Sequence, residues 1–305
     1  MTNNTRAVGF IGLGRMGRGM ALNLITSIDR LHVYDAQPDA MAVLTKAGAQ
    51  PCRTPAEVAR RCDCLFLCLP SAPEVRTVIF GAEGVASAGR GGLTIIDTTT
   101  LDRSDAIRFA EDAAKARMAY WDCPISGMPF RADDGTLTVM FGGAKEAFEA
   151  VKPLLETFGK DIIHSGPVGS GQAMKAINNI IYDVNIAALC EVLPLAIAVG
   201  LDPEQLARLV TTASSRSFAS EYFVPRILER RFDTDFTLKD AYKDIVNVQR
   251  MGVETRASLP VVNAMIGSYQ AAIAAGFGDE PKSAMLKVYE NALGVQFGRK
   301  KPEDE

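Results

Sequence analysis

The sequence predicts an α/β N-terminal domain with a mostly parallel, doubly wound sheet, followed by an all-α C-terminal domain entered through one long helix. Three observations carry that expectation. Short apolar runs alternate with helical stretches over roughly the first 120 residues, the pattern of a parallel sheet covered by helices. A glycine cluster follows the first of those runs directly, and beyond Gly171 the strand-like runs give way to a helical pattern.

The run at 7–13, Ala-Val-Gly-Phe-Ile-Gly-Leu, is too short for a helix and is bounded by glycine, so it reads as a buried parallel strand. Runs at 31–34, 64–69, 93–96 and 118–121 repeat that reading, with helices such as 16–28 and 104–116 between them. Segments 137–141 and 162–164 are expected as further strands around a helix over 145–157. From 172 to 199 apolar residues occupy nearly every face and Pro194 is the one proline. A helix apolar all round is buried, here between domains or between subunits, and the excess of apolar surface predicts a homodimer or homotetramer. Asp202-Pro203, Leu259-Pro260 and Gly276 to Pro281 punctuate the helices that follow. The boundary is expected at 166–171, giving domains 1–167 and 168–305, with 299–305 a solvated end.

Composition narrows the function classes. A chain of 305 residues, 48% apolar and 23% charged, can bury its cores without staples. A net charge of -3 gives no electrostatic footprint for nucleic acid or an anionic membrane. The six cysteines read as reduced thiols, and with two histidines and no second cysteine pair at ligand spacing, no metal is expected at Cys62 and Cys64. The start, residues 1–6, carries no leader pattern and no apolar run is of membrane-spanning length without polar interruption, so the cytosol is expected.

Gly12-Leu13-Gly14-Arg15-Met16-Gly17 is a G-x-G-x-x-G sequence directly after a strand and opening a helix, the context of a Rossmann dinucleotide site. Gly12 allows the tight turn, Gly14 a close backbone approach to a pyrophosphate, and Gly17 helix–strand packing, while the helix N-terminus favours phosphate. Asp35 ends the second strand, where an acid binds the adenosine ribose; the alternative is a turn residue leading into Pro38. A carboxylate there repels a 2′-phosphate and no arginine follows in Asp35-Ala-Gln-Pro38, which favours NAD over NADP.

Four separated motifs, taken together, make the chain resemble the β-hydroxyacid dehydrogenase family almost end to end. They are Gly12 to Asn23; Asp122-Cys-Pro-Ile-Ser126-Gly127 with Gly135 to Gly143; Gly169-Ser-Gly-Gln-Ala-Met-Lys175-Ala-Ile-Asn178-Asn179; and Phe236 to Asp244. The resemblance implies an NAD(P)-dependent oxidoreductase acting on a small hydroxy acid or the matching aldehyde acid. It implies catalytic roles for Lys175 and Asn179, a substrate segment at Ser126, Gly127 and Met128, and cofactor contacts at Leu69, Pro70, Thr100 and Lys243, with Glu74 a weaker candidate.

The residue chemistry is consistent with those roles. Oxidation of an alcohol needs a base, and neither His32 nor His164 has an acidic partner nearby in sequence. Lys175 lies in an apolar helix, where desolvation and a neighbouring nicotinamide cation lower a lysine's pKa toward the useful range, and Asn179 is its i+4 neighbour. The alternative is a lysine whose stem packs while its head snorkels to solvent. Ser126-Gly127 could likewise be an ordinary turn. Met128-Pro-Phe130-Arg131 departs from the family, where small residues are common, and this predicts a bulkier pocket wall and a substrate other than 3-hydroxyisobutyrate. Arg131 is either a clamp on a second anionic group or a surface partner of Asp133 or Asp134. An imine reductase of the same architecture and a non-catalytic cofactor-binding scaffold are the competing readings.

Overall fold

The computed structural model describes residues 7–233 and 236–299, and the chain divides into two units, residues 1–175 and 176–305. Apart from Arg299, the expected solvated end lies outside the described residues, as does the expected leaderless start at 1–6.

In the first unit the elements run β1 (Val8–Ile11), α1 (Arg15–Ile25), β2 (Leu31–Tyr34), α2 (Met41–Lys46), β3 (Gln50–Pro51), α3 (Pro55–Arg61), β4 (Cys64–Leu67), α4 (Ala72–Phe80), β5 (Thr94–Asp97), α5 (Arg103–Lys115), β6 (Ala119–Asp122), β7 (Ile125–Ser126), α6 (Pro129–Asp133), β8 (Leu137–Gly142), α7 (Lys145–Leu155) and β9 (Gly159–Gly166). The strands form one sheet in the order β3-β2-β1-β4-β5-β6-β8-β7, with β9 also on β8. The pairs from β3 through to β6 are parallel; β8 runs antiparallel to β6 and β7. Every residue of β1 and β4 is buried, as strands covered by helices on both faces must be. The expected strands are present, two of them displaced by one residue. The two-residue β3 and β7 and the short α6 were not anticipated, because elements so short leave no period in the sequence.

The helix α8 (Ser170–Ala198) begins in the first unit and continues into the second, which adds α9 (Pro203–Thr212), α10 (Phe218–Leu228), α11 (Leu238–Thr255), α12 (Pro260–Ala272) and α13 (Leu286–Leu293). Local chemistry sets these starts. Asp202 caps Gln205 N–H with Pro203 in the first turn, Thr237 and Asp240 form a reciprocal capping box, and Pro260 opens α12. By length and composition alone α8 could cross a bilayer, which the sequence reading expected of no run. It instead supplies Ile186, Cys190 and Leu193 to the helical core, together with Phe223, Ile245 and Tyr269. It also carries the buried Asp183, whose Oδ1 accepts from Lys282 Nζ at 2.5 Å. The Lys282 ammonium lies 4.2 Å from the Tyr182 ring centre and 4.8 Å from that of Phe236. Burial pushes the Asp183 carboxyl up, against the pull of that ammonium. Removing one partner from such a pair costs about 3–5 kcal/mol, because the other charge is stranded.

Candidate active site

At the carboxyl ends of β1, β2 and β4 the chain leaves a cavity of about 920 Å³. This is the point where the strand order reverses, and a parallel sheet opens a crevice there. Two glycines make the entry to α1 possible. Gly12 has φ +93°, and a Cβ on it would stand 2.2 Å from the Cys68 carbonyl oxygen. A Cβ on Gly17 would stand 1.9 Å from the Gly12 carbonyl oxygen, so α1 can lie against β1 only with glycine there. Gly14 differs: its φ is -62°, and nothing lies within 4 Å of a Cβ built on it. No side chain caps α1, and Gly12, Gly14, Arg15, Met16 and Gly17 all line the cavity. An uncapped helix N-terminus beside exposed backbone is a ready anion site.

Asp35 lines the same cavity and is held from two sides, by Leu13 N–H to Oδ2 at 2.7 Å and Gln37 N–H to Oδ1 at 2.8 Å. The Leu13 side chain is buried beneath the loop rather than facing the cavity. Leu69, Pro70 and Glu74 form the opposite wall, with the Ser71 hydroxyl donating to Glu74. Lining residues that the sequence reading did not single out include Gln37, Pro73, Thr77, Val78 and Glu83. Pro73, Glu74, Thr77, Val78 and Gly81 follow the spacing of one helical face, which was the available signal. Thr100 is exposed just past β5 and outside this lining; the loops are nonetheless joined, since Leu69 N–H donates to Thr99 Oγ1 at 3.0 Å.

Ser126 and Gly127 lie where β7 runs into α6, with Gly127 at φ +146°. Pro129 opens α6 and Met128 caps its start without a side-chain bond. The extended glycine motif explains how this segment is seated. A Cβ on Gly19 would stand 2.8 Å from the Ala132 carbonyl carbon, so α6 approaches α1 at backbone range. Asn23 Nδ2 then donates to the Ala132 carbonyl at 2.8 Å and the Asp133 carbonyl at 3.0 Å, closing the end of α6. The expected surface pairing of Arg131 with Asp133 or Asp134 is not formed. Its guanidinium donates to the Thr136 carbonyl, closing the turn before β8, and is spent neither on Asp133 nor on Asp134. Phe130 is 54% exposed in the single chain.

Lys175 and Asn179 lie one turn apart on α8, both partly buried and entered through Gly169 at φ +87°. Asn179 Nδ2 donates to Asp244 Oδ2 at 2.9 Å, an orienting contact from α11 that the sequence reading missed. Lys243, beside it on α11, is exposed in the second unit. His164 is taken up by the Gly143 carbonyl at 2.8 Å, and burial lowers the pKa of His32. None of the six cysteines is in a disulfide, and burial raises Cys68 to about 11. Among the described residues no group of three or more His, Cys, Asp or Glu gathers at metal-binding range.

Comparison with known proteins agrees with this geometry. Residues 7–166 match the family described as the NAD binding domain of 6-phosphogluconate dehydrogenase. Residues 169–289 match that described as NAD-binding of NADP-dependent 3-hydroxyisobutyrate dehydrogenase. The chain is 36% identical over 289 residues to 2-(hydroxymethyl)glutarate dehydrogenase of Eubacterium barkeri, covering 94% of this chain and 96% of that one. It is 38% identical over 224 residues to a probable mitochondrial 3-hydroxyisobutyrate dehydrogenase of Dictyostelium discoideum, covering 73% and 70%. The crystal structure of 3-hydroxyisobutyrate dehydrogenase from Salmonella typhimurium superposes with a TM-score of 0.83 at 28% identity, over 93% of this chain and 99% of that one. An imine reductase from Myxococcus stipitatus, at TM-score 0.63 and 18% identity over 93% and 99%, shares the fold alone. With both units matched and its relatives aligned over most of their length, the chain belongs to the β-hydroxyacid dehydrogenase family of NAD(P)-dependent enzymes.

Proposed function

We propose that the protein interconverts a small hydroxy acid and its aldehyde acid, with Lys175 as general acid/base and NAD as the preferred cofactor. The observation that carries this reading is the pair Lys175 and Asn179, one turn apart on α8, with the Asn179 amide fixed by Asp244. The cavity fits a dinucleotide: Gly14 leaves open space at an uncapped helix start, and Asp35 stands at the end of β2. Residues Gly12 to Gly17 would hold the pyrophosphate, Asp35 the ribose, and Leu69, Pro70 and Glu74 the opposite wall, while Thr100, outside the cavity lining, is assigned to the cofactor on the family resemblance alone. When bound, a nicotinamide supplies the acceptor or donor of hydride.

The chain's own groups do the rest. Ser126 Oγ and the backbone N–H groups around Gly127 receive the substrate carboxylate. Lys175 Nζ takes the hydroxyl proton in oxidation and returns it to the carbonyl oxygen in reduction. Asn179, held through one amide hydrogen by Asp244, directs the other at the substrate oxygen. Asp35 supports the NAD preference, because its carboxylate is pinned at the cavity where a 2′-phosphate would add negative charge.

The family resemblance implies small residues where this chain has Met128 and Phe130, so we assign the protein a hydroxy acid other than 3-hydroxyisobutyrate. Arg131, spent on Thr136, gives no support to an anion clamp. The apolar face of α8, with Ile177, Ile181, Val192 and Leu195 exposed in the single chain and Val199 just beyond its end, supports a homo-oligomer, which light scattering tests.

A panel containing 3-hydroxyisobutyrate, 2-(hydroxymethyl)glutarate, L-threonate and other short hydroxy acids, assayed with NAD and NADP, tests the reading. The expected result is turnover of a hydroxy acid other than 3-hydroxyisobutyrate, a higher kcat/KM with NAD, and a narrower cofactor gap in Asp35→Ala. Preference for NADP in the unaltered chain would overturn the role given to Asp35.

A further inference from the structure

The loop after β5 and the start of α8 are joined by a buried polar bracket. Gln172, 1% exposed, gives both ends of its amide to that loop. Its Nε2 donates to the Thr99 carbonyl at 2.7 Å, and its Oε1 accepts from Leu101 N–H at 2.9 Å. Thr99 is fixed from its other side, its N–H donating to Asp97 Oδ1 at 2.9 Å. Asp97 also accepts from the Tyr120 hydroxyl at 2.7 Å, and burial raises its carboxyl to about 6.

Beneath Gln172 the fully buried Asp122 closes the helix start. Its Oδ1 accepts from Gly169 N–H at 2.6 Å and its Oδ2 from Gln172 N–H at 2.8 Å, where the helix dipole favours an anion. Two glycines make room for that carboxylate. A Cβ on Gly142 would stand 2.4 Å from its Oδ1, and one on Gly171 2.8 Å from its Oδ2. Segments distant in sequence thus meet on one carboxylate, and the helix they anchor carries Lys175 three residues past Gln172, adjacent on the helix surface.

We propose that Gln172 is a positioning residue for the reaction, fixing the first turns of the Lys175 helix against the loop Thr98 to Leu101, with Asp122 as the anchor beneath it. The proposal rests on the reading of Lys175 as the acid/base. Glutamine suits the task because one planar amide presents a donor and an acceptor at fixed spacing. The loop it grips also holds Leu69 through Thr99, so one side chain ties the proton-handling helix to the cofactor wall. Proton transfer is steep in geometry: a displacement of about 1 Å costs on the order of 10²-fold in rate.

The test compares Gln172→Leu, which loses both contacts, with Gln172→Glu, which still accepts from Leu101 N–H. Amide hydrogen exchange reads the loop and the first turn of α8, NADH fluorescence reads cofactor affinity, and kcat against pH is followed with the best substrate of the panel. Expected are faster exchange at Leu101 and at the start of α8, a kcat lower by about 10²-fold in Gln172→Leu, an intermediate loss in Gln172→Glu, and a smaller change in NADH affinity than in kcat. Where Gln172→Leu does not fold, Gln172→Glu carries the comparison. Faster exchange with kcat, its pH profile and NADH affinity all unchanged would make Gln172 merely structural and overturn the proposal, as would unchanged exchange. Lys175→Ala, run alongside, separates the two ideas. Turnover surviving in Lys175→Ala removes the acid/base reading, whereas an inactive Lys175→Ala beside fully active Gln172 variants removes only this inference.

Discussion

Two glycine-rich stretches lead into helices in the first unit, and they need glycine for different reasons. Around α8, Gly171 gives its side-chain space to the chain itself: a Cβ there would meet the Met140 carbonyl at 2.4 Å and Asp122. Around α1, Gly12 and Gly17 are likewise required by backbone contacts, but Gly14 has nothing within 4 Å and an ordinary φ of -62°. A glycine that the fold does not require, at an uncapped helix start beside a cavity, marks space kept for something outside the chain. Gly12, Gly17 and Gly171 thus hold the molecule together, whereas Gly14 leaves its side-chain space open to the cavity.

That separation can be broken by three substitutions. Gly17→Ala should be the most damaging, since its Cβ would press on backbone at 1.9 Å. A loss above about 3 kcal/mol in urea unfolding, or failure to fold, is expected. Gly171→Ala should cost about 1–3 kcal/mol, because a carbonyl and the Asp122 carboxylate must both shift, and kcat should fall as Lys175 moves with its helix. Gly14→Ala should cost less than about 1 kcal/mol, yet weaken NADH binding by about tenfold or more, since its methyl enters the pyrophosphate's approach. Native NADH affinity in folded Gly14→Ala would erase the distinction between the two stretches.

The same contrast explains what could be read from the sequence. The entry through Gly12, Gly14 and Gly17 was legible because its constraints are local: a short buried strand, a tight turn and a helix follow one another within the motif. The extent of α8 was legible because apolar residues recur on nearly every face over many turns. The Asp244 contact that orients Asn179 was not, nor was the capping of α8 by Asp122, because these partners are far apart in sequence and no period links them. Arg131 was misread for a related reason. Its neighbours in sequence, Asp133 and Asp134, suggested an ion pair, while the turn folds the Thr136 carbonyl onto the guanidinium instead. The α4 wall lay in between: the helical spacing of Pro73, Glu74, Thr77 and Val78 was visible, but the face it defines borders a cavity rather than a core.

The role of Lys175 is tested most directly by Lys175→Ala, with kcat measured on the best hydroxy acid of the panel and NADH affinity measured on the same preparation. Loss of a positioned acid/base group lowers kcat by about 10²- to 10⁴-fold, and NADH affinity should stay near that of the unaltered chain. A variant that binds NADH normally and keeps the native kcat would contradict the assignment and return the proton to another group.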